Sequence, residues 1–267
     1  MILKIGTRKV SPIGLGTYGM GGFQGPDRGG DDEAIEAIRY GIRNGISVID
    51  TAEMYGSGHT EEVVGEAIKG FSRERVYIIS KVWPTHLARD HCIDAAMRSL
   101  KRLKTDYIDL YLIHWPNPEV PLAETLSAMM ELREKGYIRG IGVSNFDQAL
   151  LQEAFDAIGK ENILANEIEY NLNNWKKARN TVEFCLSNGV AVIGYSPLAR
   201  GSFKKGGIIR SLAEKYNATP AEINLRLLME DSLPIPKASR KDHIDEIVRA
   251  AGLNISREDI SSAFLRI

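Results

Sequence analysis

Residues 48–56 read Val-Ile-Asp-Thr-Ala-Glu-Met-Tyr-Gly, an apolar run that ends in a carboxylate and is followed by a tyrosine five residues later. The run predicts a buried strand with Asp50 at its C-terminal end and Tyr55 on the next loop. Two further runs have this form, since residues 77–81 end in Lys81 and residues 108–114 end in His114. Four such side chains at or just past strand ends indicate proton transfer to or from an oxygen.

Composition narrows the class of protein. The chain has 267 residues, of which 43% are hydrophobic, enough for one large core. Its 34 basic and 35 acidic residues give a net charge of −1 with no block of like charge, so neither nucleic acid nor an anionic membrane is indicated as a partner. Cys92 and Cys185 lie far apart, as in a protein of a reducing compartment. No apolar stretch approaches the ~20 residues of a membrane span, and the N-terminus lacks a signal-peptide core, so we expect a cytoplasmic protein.

Short strand-like runs alternate with helical patterns from residue 13 onward. Eight such units predict an α/β fold, a single (β/α)8 TIM barrel domain over residues 1–267. A doubly wound open sheet is the alternative, and it would be expected to show a linker or a second domain. The predicted strands cover residues 13–17, 48–51, 77–81, 108–114, 138–144, 163–168, 190–195 and 233–236. The predicted helices cover residues 31–44, 89–103, 122–135, 148–158, 175–187 and 242–251.

Both ends of the chain add a further element. Residues 3–5 and 9–11 flank a Gly-Thr turn and predict an N-terminal hairpin that closes the barrel floor. Residues 256–267 begin with Ser-Arg-Glu-Asp, an N-cap with early acids, and predict a short C-terminal helix.

Residues 14–19 match the dinucleotide-binding pattern GxGxxG. That pattern indicates a Rossmann domain only where a strand leads straight into a helix. Here a further glycine-rich stretch follows up to residue 30, so we interpret the segment as a loop at the mouth of the first strand. The glycines still leave backbone exposed for contact with a ligand.

The four polar side chains can act together. In a parallel barrel, catalytic groups lie at the C-terminal ends of the strands, and neighbouring strands are only about 5 Å apart. An ammonium at Lys81 favours the phenolate of Tyr55 and lowers its pKa, and Asp50 would hold Lys81 charged. Tyr55 could then donate a proton to a carbonyl oxygen that His114 orients. Each residue alone could be structural, but four reactive types at successive strand ends favour a site.

This chemistry requires a hydride donor, because none of the four groups is a nucleophile placed to attack a carbonyl carbon. A nicotinamide cofactor would supply the hydride. We predict no metal site, because the remaining histidines lack metal-ligand spacing. They are His59, His86, His91 and His243.

The ordered motifs resemble those of the aldo-keto reductases over nearly the whole chain. Residues 50–56, 80–83 and 110–116 are similar to the segments that carry the family's catalytic Asp and Tyr, Lys and His. Segments 140–146, 195–201 and 235–239 follow in the family's order. The resemblance implies reversible reduction of aldehyde or ketone carbonyls with NADPH, or with NADH as the alternative. It makes Tyr55 the general acid/base. We expect a small-molecule carbonyl substrate and a monomer or weak homo-oligomer.

The resemblance also implies the ligand contacts. Ser144 and Asn145 would bind the nicotinamide carboxamide, Tyr195 would stack on the ring, and cations near residue 240 would bind the 2′-phosphate. The implied cofactor residues are Thr17, Tyr18, Asp50, Ser144, Asn145, Glu167, Tyr195, Ser196, Leu198, Lys237, Ser239, Arg240 and His243. Candidates for the substrate pocket are Met20, Phe23, Tyr55, Trp83, His114, Trp115 and Phe146.

Three departures from the family pattern carry predictions. Glu167 stands where a glutamine is usual, so its contact must be rearranged or the acid protonated, and a carboxylate there would favour the oxidised cofactor. His243 stands where many members have an arginine, and Arg240 could substitute for it. The loops at residues 115–120 and 201–207 are short, which predicts an open site and a broad, polar or sugar-like substrate range.

Two rival functions remain. One is a catalytically weak nucleotide-binding regulatory subunit of the same fold, and the filled catalytic positions argue against it. The other is a cofactor-free barrel isomerase or lyase, which would have no use for Ser144, Asn145 and Tyr195.

Overall fold

In the computed structural model, which describes residues 3–267, eight parallel strands run in sequence order around a nearly closed barrel. The first and last strands meet at Gly16, whose amide donates to the carbonyl oxygen of Pro236 at 3.0 Å and which bridges Lys237. A Cβ at Gly16 would lie 2.8 Å from the carbonyl oxygen of Ile235. Glycine therefore permits the approach of strand ends that closes the barrel.

A two-stranded antiparallel hairpin precedes the barrel, and its strands are β1 Leu3–Ile5 and β2 Arg8–Val10. The barrel strands are β3 Gly14–Gly16, β4 Val48–Asp50, β5 Tyr77–Val82, β6 Leu110–Ile113, β7 Ile141–Ser144, β8 Ile163–Glu169, β9 Ala191–Tyr195 and β10 Leu233–Pro234. The helices are α1 Asp31–Arg43, α2 His59–Ile68, α3 Arg89–Leu103, α4 Leu122–Glu134, α5 Gln148–Ile158, α6 Trp175–Ser187, α7 Ile208–Lys215, α8 Pro220–Leu228, α9 Lys241–Gly252 and α10 Arg257–Arg266.

The predicted barrel, hairpin and C-terminal helix are confirmed, and each predicted strand overlaps a barrel strand. As expected, the GxGxxG segment does not lead into a helix. Its first half is β3, which ends at Gly16, and a loop follows until α1 begins at Asp31. Within residues 3–267, no helix combines the length and apolar character that crossing a membrane requires.

Three helices were missed from the sequence: α2, α7 and α8. Helix α2 is buried on most of its surface, so its apolar residues do not form a one-sided stripe. Helix α8 did carry a signal, since Thr219 and Glu222 form a capping box and Pro220 occupies the first turn.

Because side chains alternate between the two faces of each strand, the buried hydrophobic residues form two separate cores. Val48, Ile79 and Leu112 belong to a cluster inside the barrel, to which the hairpin adds Ile5 and Val10 from below. Intervening residues pack outward against the helices in the larger cluster. Because side chains alternate along a strand, a residue two positions after an inward hydrophobic side chain also points inward, at the mouth of the barrel.

Candidate active site

Because side chains alternate along each strand, the site residues predicted from the sequence lie together at one end of the barrel. Asp50 follows Val48, Lys81 follows Ile79 and His114 follows Leu112, each by two positions. Glu167 and Tyr195 follow the inward residues of β8 and β9 in the same way. The side chains of five strand ends therefore face a common volume.

Lys81 is the centre of the site. Its Nζ donates to Asp50 Oδ2 at 2.6 Å, to the carbonyl oxygen of Thr51 at 3.1 Å and to the Tyr55 phenol oxygen at 3.4 Å. Burial opposes the charge of Lys81, but the facing carboxyl groups of Asp50 and Glu167 raise its pKa above the ordinary value. The ammonium is thus held charged, as expected from the sequence.

Tyr55 lies on a tight turn that fixes its position. The turn spans Tyr55–Gly58 and contains positive φ angles at Gly56, Ser57 and Gly58. Burial raises the pKa of Tyr55, and the Lys81 charge lowers it without offsetting burial. The lysine acts in the expected direction, but its effect is smaller than the desolvation that the sequence could not show. The phenol is therefore protonated at neutral pH, the form that a proton donor needs.

His114 is held neutral. Burial, followed by the Lys81 charge, lowers its pKa to about 2. Its ring packs edge-on against Tyr55 and Trp83, with centroids 5.7 and 5.1 Å away. A neutral imidazole beside the phenol can donate a hydrogen bond to a carbonyl oxygen without competing as a proton acceptor.

Ser144, the last residue of β7, and Asn145, which follows it, form a network of hydrogen bonds in the site. Asn145 Nδ2 donates to the carbonyl oxygen of His114 at 3.1 Å and to Ser144 Oγ at 2.9 Å, and its Oδ1 accepts from the Tyr195 hydroxyl at 3.0 Å. Ser144 Oγ donates to the carbonyl oxygen of Glu167 at 3.0 Å. These bonds link Tyr195 to the two residues expected to contact a carboxamide.

Glu167 is buried and incompletely partnered. Its Oε1 lies 3.4 Å from Lys81 Nζ, and its Oε2 has no hydrogen-bond partner among the described residues. Burial, then the charge of Asp50, raises the pKa of Glu167 well above its ordinary value. Of the two states considered from the sequence, the protonated acid is the favoured one.

A cavity of about 1010 Å³ opens from these side chains toward α8 and α9. Of the expected cofactor residues, ten line it: Tyr18, Asp50, Ser144, Asn145, Glu167, Tyr195, Ser196, Leu198, Lys237 and His243. Of the expected substrate residues, Phe23, Tyr55, His114 and Trp115 line it.

Other expected residues lie outside the cavity wall. Thr17 is buried and its hydroxyl donates to the carbonyl oxygen of Asp50 at 2.8 Å, so it braces the site. Ser239 accepts a hydrogen bond from Lys237 Nζ at 3.3 Å. Met20 and Phe146 are buried in the core, and Trp83 packs edge-on against the ring of His114.

Arg240 is engaged elsewhere. Its guanidinium makes two hydrogen bonds to Asp242, one of them at 3.0 Å, and it does not line the cavity. The basic side chains that do line the outer cavity, besides Lys237 and His243, are Arg200 and Lys205. Sequence reasoning missed these two, although Arg200 lies within the motif at residues 195–201 and Lys205 closely follows it.

The residues fit a nicotinamide dinucleotide. The buried Glu167 Oε2 is an unpaired polar atom at the deep end, and Lys205 and Lys237 supply positive charge at the outer end. A long cavity with hydrogen-bonding groups inside and cations outside matches a ring carboxamide joined to phosphates. In the described part of the chain, no group of three or more His, Cys, Asp or Glu side chains is arranged to hold a metal ion.

Comparisons with known proteins agree with this geometry. The family model of the aldo/keto reductase family matches residues 12–263. Methylglyoxal reductase DkgB of Escherichia coli O157:H7 is 35% identical over 255 residues, which cover 94% of this chain and 90% of that protein.

Two solved structures are also similar. One is the thermostable aldo-keto reductase Tm1743 with the inhibitor epalrestat, at a TM-score of 0.93 and 44% identity, covering 98% of this chain and 97% of that one. The other is an aldo-keto reductase from Klebsiella pneumoniae in complex with NADPH, at a TM-score of 0.89 and 34% identity, covering 98% and 93%.

Fold and site together define a (β/α)8-barrel oxidoreductase acting on carbonyl and alcohol groups. The chain belongs to the aldo/keto reductase family, as the resemblance of its motifs predicted. The expected cofactor, NADP(H), agrees with the NADPH bound in the Klebsiella structure.

Proposed function

We propose that this enzyme reduces small 2-oxoaldehydes with NADPH and that Tyr55 donates the proton to the carbonyl oxygen. The observation that carries the proposal is the Tyr55 phenol, which lies 3.4 Å from the Lys81 ammonium and lines the cavity beside neutral His114. NADPH, when bound, supplies the hydride to the carbonyl carbon.

The chain's own residues perform the remaining work. Tyr55 and His114 bind and polarise the carbonyl oxygen, because both carry protons at neutral pH and line the same cavity. Transfer of the phenol proton leaves a phenolate, which the ammonium of Lys81 stabilises at short range. Asp50 keeps that ammonium charged and in place.

The cofactor is positioned at two ends. Ser144, Asn145 and Tyr195 hold the nicotinamide end, and Lys205 and Lys237 bind the phosphates. The lysines support NADPH over NADH, since an additional phosphate gains most from nearby cations.

The substrate class follows from the wall and from a relative. Tyr18, Phe23 and Trp115 are 46%, 60% and 43% exposed and form an open aromatic rim of the cavity. Such a rim suits a small neutral carbonyl compound, and the DkgB relative is named a methylglyoxal reductase. The broader polar or sugar-like range suggested by the short loops stays a prediction.

The location and assembly state are also proposals. Both cysteines are free and buried, which supports a reducing compartment such as the cytoplasm. We propose a monomer or weak homo-oligomer, to be measured by light scattering across protein concentrations.

The decisive assay mixes the protein with NADPH and methylglyoxal and follows the absorbance of the reduced nicotinamide. Tyr55→Phe removes only the hydroxyl and should lower kcat about 10²- to 10⁴-fold with NADPH binding retained. Tyr137→Phe is the matched control, because Tyr137 lies outside the cavity. Tight NADPH binding without turnover would favour the regulatory subunit, and no binding would favour a cofactor-free isomerase or lyase.

A further inference from the structure

Two carboxyl groups share one cation inside the barrel. Lys81 Nζ lies 2.6 Å from Asp50 Oδ2 and 3.4 Å from Glu167 Oε1. The lysine side chain is 0% exposed and each carboxyl side chain only 3% exposed. The three groups come from separate strands, β5, β4 and β8, so the closed barrel fixes their arrangement.

The charges do not balance if both acids ionise. One ammonium and two carboxylates would leave a net negative charge without water, and removing an ion from water costs several kcal/mol even after relaxation. Two like charges so close to one cation also repel each other, which raises the pKa of one of them. The pair is therefore most stable with one proton retained.

Glu167 is the better holder of that proton. The Lys81 ammonium is closer to Asp50, at 2.6 Å, than to Glu167, at 3.4 Å, so it stabilises the ionised form of Asp50 more than that of Glu167. The other titratable groups around the pair include His114, whose pKa is lowered to about 2 by burial and by the Lys81 charge, so that it stays neutral. They also include Tyr55 and Tyr195, and burial raises the pKa of both above the ordinary value. These phenols stay neutral, so a carboxyl group is the site that can change charge.

We propose that Asp50 and Glu167 hold one proton between them in the cofactor-free enzyme, and that loss of this proton from Glu167 selects the oxidised cofactor. The inference rests on the proposed function and assigns a specificity-determining role within it. The oxidised nicotinamide ring carries a positive charge that the reduced ring lacks. A carboxylate at the deep end of the cavity stabilises the charged ring, whereas the neutral acid does not.

The proposal predicts that the two forms of the cofactor release different numbers of protons on binding. Binding of NADP⁺ converts the Glu167 carboxylic acid into a carboxylate and releases its proton to solvent, while binding of NADPH leaves the acid intact. Within the titration range of the pair, the ratio of the NADPH to the NADP⁺ dissociation constant rises up to tenfold per pH unit. The 2′-phosphate titrates with either form of the cofactor, so its effect largely cancels in this ratio.

The test measures both dissociation constants by calorimetry between pH 5.5 and 9.5, in buffers of different ionisation enthalpy. The wild type should release up to one proton per NADP⁺ and fewer per NADPH. Glu167→Gln should make the ratio independent of pH and abolish the extra release. Glu153→Gln, an equal change of charge at an exposed position on α5, should behave as the wild type.

The Asp50→Asn variant provides a second test, which remains informative even if the Glu167→Gln variant does not fold. Without the competing carboxylate, Glu167 pairs with Lys81 and ionises, so the ratio should favour NADP⁺ at every pH and stay flat. A flat wild-type ratio, or an unchanged slope in Glu167→Gln, overturns the inference while leaving Tyr55-dependent turnover intact. Failure to bind either cofactor overturns the proposed function as well.

Discussion

The ammonium nitrogen of Lys81 lies 3.4 Å from the phenol oxygen of Tyr55, and both groups are withdrawn from solvent. At this separation the ammonium attracts the phenolate formed when the proton leaves by several kcal/mol, on the order of 5 kcal/mol at an effective dielectric constant of about 20. The same contact contributes little while the phenol is neutral. The lysine therefore acts on the transition state more than on cofactor binding.

Lys81→Met should separate these effects. We expect kcat for aldehyde reduction to fall by about 100-fold or more, because the developing phenolate loses its nearest cation. The NADPH dissociation constant should change only a few-fold. Steady-state kinetics and cofactor titration measure the two quantities, and Lys160→Met, an exposed lysine, is the control. A loss of kcat below tenfold would contradict the role given to Lys81.

The neutral state of His114 predicts a dependence of stability on pH. Its pKa is lowered to about 2 in the folded protein by burial and by Lys81, against about 6.5 in an unfolded chain. Between these values the unfolded state binds more protons, so the contribution of His114 to folding falls as pH falls below about 6.5. This histidine should cost about 1 kcal/mol of unfolding free energy between pH 7.5 and pH 5.5.

Urea unfolding of the wild type and His114→Gln at these two pH values measures that cost. Glutamine does not titrate, so the variant should lose about 1 kcal/mol less than the wild type on acidification. Buried carboxyl groups such as Glu61 titrate in both proteins, and their effects cancel in the comparison. An equal loss in the two proteins would show that His114 accepts a proton in the folded state.

Several features of the site were predictable because they are local in sequence. An apolar run ending in Asp50, Lys81 or His114 reveals both a buried strand and its polar end, and the barrel fold then brings the ends together. Glu167 was recognised as unusual, but its position beside Lys81 depends on the closure of the barrel. Likewise, the pKa of Tyr55 depends on how much water the neighbouring loops exclude, which no spacing of residues reveals.

The helices missed from the sequence have a similar cause. Helix α2 is enclosed by neighbouring elements, so tertiary contacts rather than an amphipathic stripe determine its composition. The contact of Arg240 was likewise not predictable from residue spacing, because side-chain geometry determines whether its guanidinium binds Asp242 or a ligand phosphate.

Lys237 and Arg240 give a direct test of NADPH recognition. Lys237 lines the cavity, whereas Arg240 is bound to Asp242 outside the wall. Lys237→Ala should weaken NADPH binding about 10- to 100-fold through loss of a charge-assisted hydrogen bond, with a much smaller effect on NADH. Arg240→Ala should change either affinity less than threefold. Fluorescence titration with NADPH and NADH measures these affinities. A larger loss of NADPH affinity in Arg240→Ala than in Lys237→Ala would identify Arg240 as the phosphate ligand.

Gly65 should be irreplaceable for a packing reason. It lies within α2, where a Cβ would come 2.7 Å from the carbonyl oxygen of Arg102 and 2.9 Å from that of Leu103 at the end of α3. Gly65→Ala must push the two helices apart, and we expect it to lower the unfolding free energy by about 1–3 kcal/mol. The matched control is Gly252→Ala in α9, where a Cβ would have no neighbour within 4 Å.

Alanine at Gly252 should be neutral or stabilising by up to about 1 kcal/mol, because it restricts the unfolded chain and favours the helix. Chemical denaturation of both variants measures the difference, and NADPH-dependent turnover at low temperature shows whether the site is intact. Since the contact of α2 with α3 lies behind the barrel wall, Gly65→Ala should retain most of its kcat at 10 °C. Equal stabilities of the two variants would mean that α2 can move away from α3 at little cost.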